Sequence, residues 1–299
     1  MLDYASLRAV AAVVQTGSFE KAARALNVTP SAVSQRVKQL EERLGLVLIA
    51  RGSPCVATEK GAWLCRHMEH VGLLEADLLT HLPGLAPPAD GAPAVTVPVA
   101  TSADSLGTWF LDAVAEVAAS TGHLFSIAVD DEEHTAEWLR RGQVVAAVTS
   151  LEAPVPGCRR LFLGRLRYHA VASPAFLARH CPDGVTAKAL SRAPALTFNQ
   201  KDRLQERWLR QVFGETPACP THWLPSTQGF LEASLRGMGW GMNPAPLVAE
   251  HLRQGRLVEL VPGQPLDVAL YWQINRLSAD RLSGLTAAVT AAARHRLLA

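Results

Sequence analysis

A chain of 299 residues, 48% hydrophobic and 19% charged, is too long for one ordinary core and has no apolar run able to span a bilayer, so it reads as two or three globular units. Five scattered cysteines without a C-x-x-C pair suggest neither a disulfide framework nor a zinc site and fit a reducing cytoplasm. Formal net charge is only +2, yet residues 21–66 hold eight Lys/Arg against three acids, so one short module is basic and the remainder is net acidic.

In chain order, Leu7, Val10, Ala11 and Val14 predict a helix over residues 3–15, broken by Gly17. The opening residues place Asp3 ahead of the apolar stretch and read as a folded helix, not an export signal. Ser18 suits the cap of a short helix carrying Ala22, Ala23 and Leu26, and Asn27-Val28 makes a turn. Thr29 caps a third helix with Pro30 at its first position, running to Leu44 and stopping at Gly45. "LVLIARGSPCVATEKG" predicts two short strands around a Gly-Ser-Pro turn, and Thr58 caps a longer helix to residue 82. "PGLAPPADGAP", residues 83–93, predicts a hinge.

From residue 94 strand-like and helix-like segments alternate, which predicts a parallel sheet with crossover helices. "RYHAVASP" opens a second series, with helices near 203–213, 228–236 and 247–254. "LDVALYWQI" is a strand that can return the chain to the first sheet, and an Ala-rich helix closes at Leu297. Two α/β subdomains with a cleft between them follow.

The third predicted helix, "PSAVSQRVKQLEERL", divides into two faces. Val33, Val37, Leu40 and Leu44 are expected to point inward. Pro30, Ser31 and Ala32 let the backbone approach a major groove, Ser34, Gln35 and Lys38 reach base edges, and Arg36 and Arg51 sit near phosphates. Ser18, Thr29 and Thr58 complete the expected DNA-binding set. Glu41 and Glu42 follow the contact zone. The competing reading is a solvated helix on an unrelated bundle.

Residues 1–80, with "SFEKAARALNVTPSAVSQRVKQLEERLG", resemble the winged helix-turn-helix of LysR-type transcriptional regulators. The resemblance covers essentially the whole chain. It implies an α+β multi-domain architecture: a DNA-binding domain over 1–58, a linker or dimerisation helix over 59–82, a hinge over 83–93, and an effector-binding domain over 94–299. That last domain is expected to resemble periplasmic binding proteins, with subdomain I about 94–164 and 266–299 and subdomain II about 165–265. It further implies double-stranded promoter DNA, a small-molecule effector and RNA polymerase as partners, and a homodimer or tetramer paired through the linker helix, whose apolar stripe is Trp63, Leu64, Val71, Leu74 and Leu78. "TSADSLGTWFLDAV", "HTAEWLRRGQVVAAVTS", "VPGCRR" and "GWGMNP" resemble the ArgP/LysG-type subgroup, which implies sensing of L-lysine or L-arginine and control of a basic amino acid exporter gene. Ser102 stands where that subgroup usually has Asn.

The residues are compatible with such an effector. "TSADSL" lies between a strand and a helix, where backbone N–H groups near Asp104 and Ser105, with the Ser102 and Ser105 hydroxyls and Ala103 between them, suit a carboxylate. Asp130, Asp131, Glu132 and Glu133 offer anions for a cationic side chain just after the second strand. Thr149, Asn199, Asp202, Ser226 and Thr227 are expected around the same cleft. The bland alternatives are a solvated "DDEE" loop, an Asp104 that only caps its helix, and a regulator taking an aromatic acid or neutral amino acid; the charge of the cleft separates the last from a basic ligand. No G-x-G-x-x-G, Walker sequence or nucleophile elbow points to an enzyme, and no cofactor or metal ligand set is expected.

Overall fold

The computed structural model describes residues 2–82 and 95–299; Met1 and residues 83–94, which hold the expected hinge, lie outside the described residues. The chain divides into two compact units, 1–97 and 98–299. No described helix is long and apolar enough to cross a membrane.

The first unit is built by local capping. Asp3 accepts from Ala5 and Ser6 N–H to start α1 (Tyr4–Thr16), which Gly17 ends in the left-handed region. Ser18 caps α2 (Phe19–Ala25), and Asn27, at φ 51°, turns the chain toward α3 (Pro30–Leu44). Thr29 Oγ1 accepts from Ala32 N–H, Pro30 fills the first helical position where no donor is needed, and Gly45 closes the helix. A two-stranded hairpin, β1 (Ile49–Ala50) and β2 (Val56–Ala57), pairs antiparallel as a wing. Thr58 then caps α4 (Glu59–His81).

Leu7, Val10, Val13, Val33, Val37, Leu40, Leu48 and Ile49 form the core, with Leu64 and Met68 of α4 packed on it. Leu44 corrects the expected inward face: it is 45% exposed. It lies only about 20° from the line of Val33, eleven residues back, so its facing is not the cause. It is the last residue before the Gly45 turn, and the packed cluster on this helix stops at Leu40. The wing and α4 are joined tightly. Thr58 N–H donates to Leu48 O at 3.0 Å, and Gly61 lies flush on the same carbonyl, which a Cβ would overlap.

The boundary falls within β3 (Thr96–Ser102), and the second unit continues with α5 (Ala103–Ser105), a π-helical turn over Leu106–Phe110, and α6 (Leu111–Thr121). It continues through β4 (Leu124–Asp130), α7 (Thr135–Arg140), β5 (Ala146–Thr149) and a fifteen-residue β6 (Cys158–Ala172). Next come α8 (Pro174–His180), α9 (Ala187–Leu190), β7 (Ala195–Thr197), α10 (Leu204–Phe213), β8 (Thr221–Trp223) and α11 (Thr227–Leu235). The chain closes with β9 (Gly241–Pro244), α12 (Ala245–Arg253), β10 (Val258–Glu259), β11 (Leu266–Asn275), α13 (Arg276–Ala279) and α14 (Ser283–Arg296).

The main sheet runs β10-β6-β11-β5-β3-β4, with β9 also on β6, and β7 pairs with β8 in a small parallel sheet. The expected parallel sheet is correct for β3 with β5 but not for the whole: β11 is antiparallel to both β5 and β6. A strand that returns the chain from the far end enters from the opposite direction. The second series also starts earlier than "RYHAVASP", because β6 begins at Cys158. Its first part pairs with β11 and its second with β9 and β10, so one strand serves both halves. A register shift falls between Leu270 and Tyr271, beside Gly164 of β6. Gly164 has φ 131°, and a Cβ there would lie 2.6 Å from Leu298 O, whose segment pairs with Arg165.

Candidate functional site

On the first unit, Thr29, Pro30, Ser31, Ser34, Gln35, Lys38 and Arg51 are exposed, while Ala32 and Arg36 are half-buried. Ser31, Ser34, Gln35 and Lys38 lie on the side of α3 away from the buried Val33, Val37 and Leu40, Thr29 and Pro30 sit at its N-terminus, and Arg51 follows β1 in the wing. The Arg51 guanidinium lies 5.5 Å from the Phe19 ring centre, which steadies it near the wing. Ser18 and Thr58 have other duties. The Ser18 hydroxyl donates to Glu20 at 2.6 Å and caps Lys21, and Thr58 Oγ1 donates to Val47 O at 2.8 Å while accepting from Gly61 N–H. Glu41 is more than an acid beyond the contact zone: its carboxylate accepts from Leu48 and Ile49 N–H at 2.7 and 3.2 Å and fixes the entry to the wing. The Lys38–Glu42 pair, 3.6 Å apart and exposed, contributes little.

In the second unit, the ends of β3, β4, β7 and β9 and the start of α11 converge on a cavity of about 410 Å³ including its open part. Ser102, Ala103, Asp104, Asp130, Asp131, Glu132, Asp202 and Thr227 line it. Ser105, Thr149 and Asn199 do not. Ser105 is buried with its N–H on Ser102 Oγ. Asn199 Oδ1 accepts from Lys201 and Asp202 N–H and shapes a turn. Thr149 Oγ1 donates to Glu132 O and accepts from Leu151 N–H. Ser226 caps α11, and Glu133 pairs with Arg207 at 3.3 Å.

The sequence reading missed Phe198, Leu204, Phe230, Met242 and Pro244, the apolar part of the wall. It also missed Tyr168, whose hydroxyl hydrogen-bonds Asp104 from β6. Nothing local separates such residues from ordinary core.

The electrostatics are one-sided. Asp131, Glu132 and Asp202 are only 5–6% exposed. Burial raises the Glu132 carboxyl well above its usual range, and the nearby Asp131 and Asp104 charges raise it further. Burial likewise lifts Asp104 to about 6, against the pull of hydrogen bonds from Thr227 and Tyr168. Asp202 is raised by burial although Phe198 and Leu204 N–H groups both donate to it. Among the described residues, the basic side chains near this wall are taken by its rim: Lys201 is 3.9 Å from Asp130, and Arg207 is on Glu133. Glu132, Asp104 and Asp202 have no cationic partner among the described residues. Nor is any described group of His, Cys, Asp or Glu arranged to hold a metal ion. Unpaired buried carboxylates are costly, and a cationic ligand would remove that cost. The start of α5, which carries Asp104, also supplies donors: a helix leaves its first N–H groups without internal partners, and Ser102 takes only that of Ser105. Thr227 Oγ1 donates to Asp104 at 2.5 Å across the cavity.

Residues 4–62 match the family described as "Bacterial regulatory helix-turn-helix protein, lysR family", and residues 91–295 match "LysR substrate binding domain". The regulator ArgP of Pseudomonas fluorescens (strain Pf0-1) is 42% identical over 286 residues, 96% of this chain and 95% of that protein. The C-terminal domains of a LysR family protein from Agrobacterium tumefaciens are 64% identical with a TM-score of 0.66, covering 68% of this chain and 98% of that one. Full-length LysG from Corynebacterium glutamicum with bound effector Arg is 37% identical with a TM-score of 0.66, covering 100% of both chains. A capped helix with an exposed polar face and a wing fall within the first matched domain and an acid-lined cavity within the second, and the chain belongs to the LysR family of bacterial helix-turn-helix transcriptional regulators.

Proposed function

We propose that this LysR-family regulator takes a basic amino acid, L-arginine or L-lysine, in its acidic cavity and changes its grip on promoter DNA in response. The observation that carries the reading is the unpaired, buried Glu132 among Asp104, Asp131 and Asp202. A ligand with one carboxylate and two cationic groups complements both the donors and the acids. Ser102 and the first turn from Ala103 hold the α-carboxylate; the acids hold the ammonium and the side-chain cation. The similar C. glutamicum LysG, whose structure carries Arg as effector, supports the assignment.

On DNA, Ser34, Gln35 and Lys38 read base edges, Pro30, Ser31 and Ala32 permit close approach, and Arg36 and Arg51 neutralise phosphates. Exposed Trp63, Leu74 and Leu78 on α4 suit pairing of two copies through residues 59–82, and residues 94–299 form the effector domain. Closure of the cavity alters the spacing of paired DNA-binding units in a dimer or tetramer. A basic amino acid exporter gene is the target that the family resemblance implies, with RNA polymerase as partner in the cytoplasm.

Calorimetry on the full chain tests the ligand, with L-arginine, L-lysine, a neutral amino acid and an aromatic acid in separate titrations. Heat from the basic pair alone is expected. Heat only from a neutral or aromatic compound replaces the assignment.

A further inference from the structure

We propose that Thr149, although it does not line the cavity, is a positioning residue that sets the preference for a cationic side chain by fixing Glu132. The inference rests on the basic amino acid reading above. Glu132 sits in the turn between β4 and α7, where its carbonyl receives three donors: Ser150 N–H at 2.9 Å, Thr149 Oγ1 at 3.1 Å and Thr135 Oγ1 at 3.3 Å. The two hydroxyls are not equivalent. A hydroxyl has one hydrogen, and Thr135 has a shorter bond to Val148 O at 2.7 Å. Thr149 Oγ1 has Glu132 O as its only acceptor among the described residues, and it accepts from Leu151 N–H at 3.1 Å, so its hydrogen is committed. Thr149 and Thr135 are both fully buried.

This anchorage has a purpose that packing alone does not supply. The Glu132 carboxylate is surrounded by acids: Asp131 on its own turn, Asp104 at the start of α5 and Asp202 beyond β7. Their repulsion, and the gain from rehydration, both push the turn outward toward water. Bonds to the carbonyl hold the backbone against that push. Thr149 therefore acts through Glu132: its hydroxyl bonds the Glu132 carbonyl and Leu151 N–H and, among the described residues, not Ser102, although its strand runs beside β3.

Titration of L-arginine and L-citrulline tests this, because citrulline has the same α-carboxylate and α-ammonium but a neutral side-chain end. Wild type is expected to favour arginine. Thr149→Val, which keeps the shape and removes the hydroxyl, is expected to weaken arginine roughly three- to tenfold, the size of one hydrogen bond, with citrulline nearly unchanged. Thr149→Ser is expected to restore the preference. Thr149→Ala, read alongside a thermal melt, gives the same split if the valine variant does not fold. Equal losses for both ligands, or an unaltered preference in a folded variant, overturn the role of Thr149 alone. A wild type indifferent to both ligands and to lysine overturns the effector reading, and this inference with it.

Discussion

The exposed face of α3 and the acidic wall of the cavity hold their polar groups under opposite conditions. Ser34, Gln35 and Lys38 stand in solvent on a helix whose other side is packed, so each remains hydrated until a partner displaces water. Asp131, Glu132 and Asp202 have already lost most of their water, and Glu132 has no compensating cation among the described residues. A solvated face pays for desolvation when it binds; a desolvated one has paid at folding and recovers the cost from its ligand. The same kind of residue is thus cheap and weakly committed in one unit, and expensive and strongly committed in the other.

Glu132→Gln puts the largest strain on that contrast. Removing one partner of a buried charge pair costs about 3 kcal/mol or more, so arginine affinity should fall over a hundredfold in calorimetry, while the empty protein melts higher. A small loss would mean that Glu132 is not a desolvated partner. Next, Gln35→Ala should weaken binding to the proper operator by about 1–3 kcal/mol and random DNA far less. Arg51→Ala should weaken both and lower the salt slope by about one. Equal losses for Gln35→Ala on the two DNAs, measured by gel shift, would remove it from base readout.

A third expectation concerns pH. The folded Asp104 binds its proton more tightly than an unfolded Asp, with a pKa of about 6 against 3.8. Stability of the empty effector unit should therefore fall as pH rises through that interval, with Glu132 extending the fall above it. Saturating arginine should flatten the dependence, and melts from pH 4 to 8 with and without ligand measure it. The smallest effect belongs to the solvated side: Thr29→Ala should cost about 1 kcal/mol of stability through the lost cap of α3, read by denaturant unfolding.

The caps at Ser18, Thr29 and Thr58 and the stop at Gly45 were legible because each acts within three or four residues of its own position. The acidic wall was legible in part, because "VDDEEH" follows a strand. Thr149, Asn199 and Ser105 were misplaced for one reason: a polar residue at a strand or helix end either faces the cavity or braces a turn, and a side-chain rotation decides which. Phe230 and Met242 were invisible because an apolar wall and an apolar core have the same composition. The antiparallel β11 needed knowledge of where residue 266 re-enters the sheet, which no window of sequence contains.

Gly61 has a mechanical consequence. Its backbone rests on the Leu48 carbonyl with no room for a side chain, and Thr58 bonds that same carbonyl and the one before it. The hairpin and the base of α4 have no lubricating layer between them. The first turn of α4 and the entry to the wing are thus tied to one another at consecutive carbonyls.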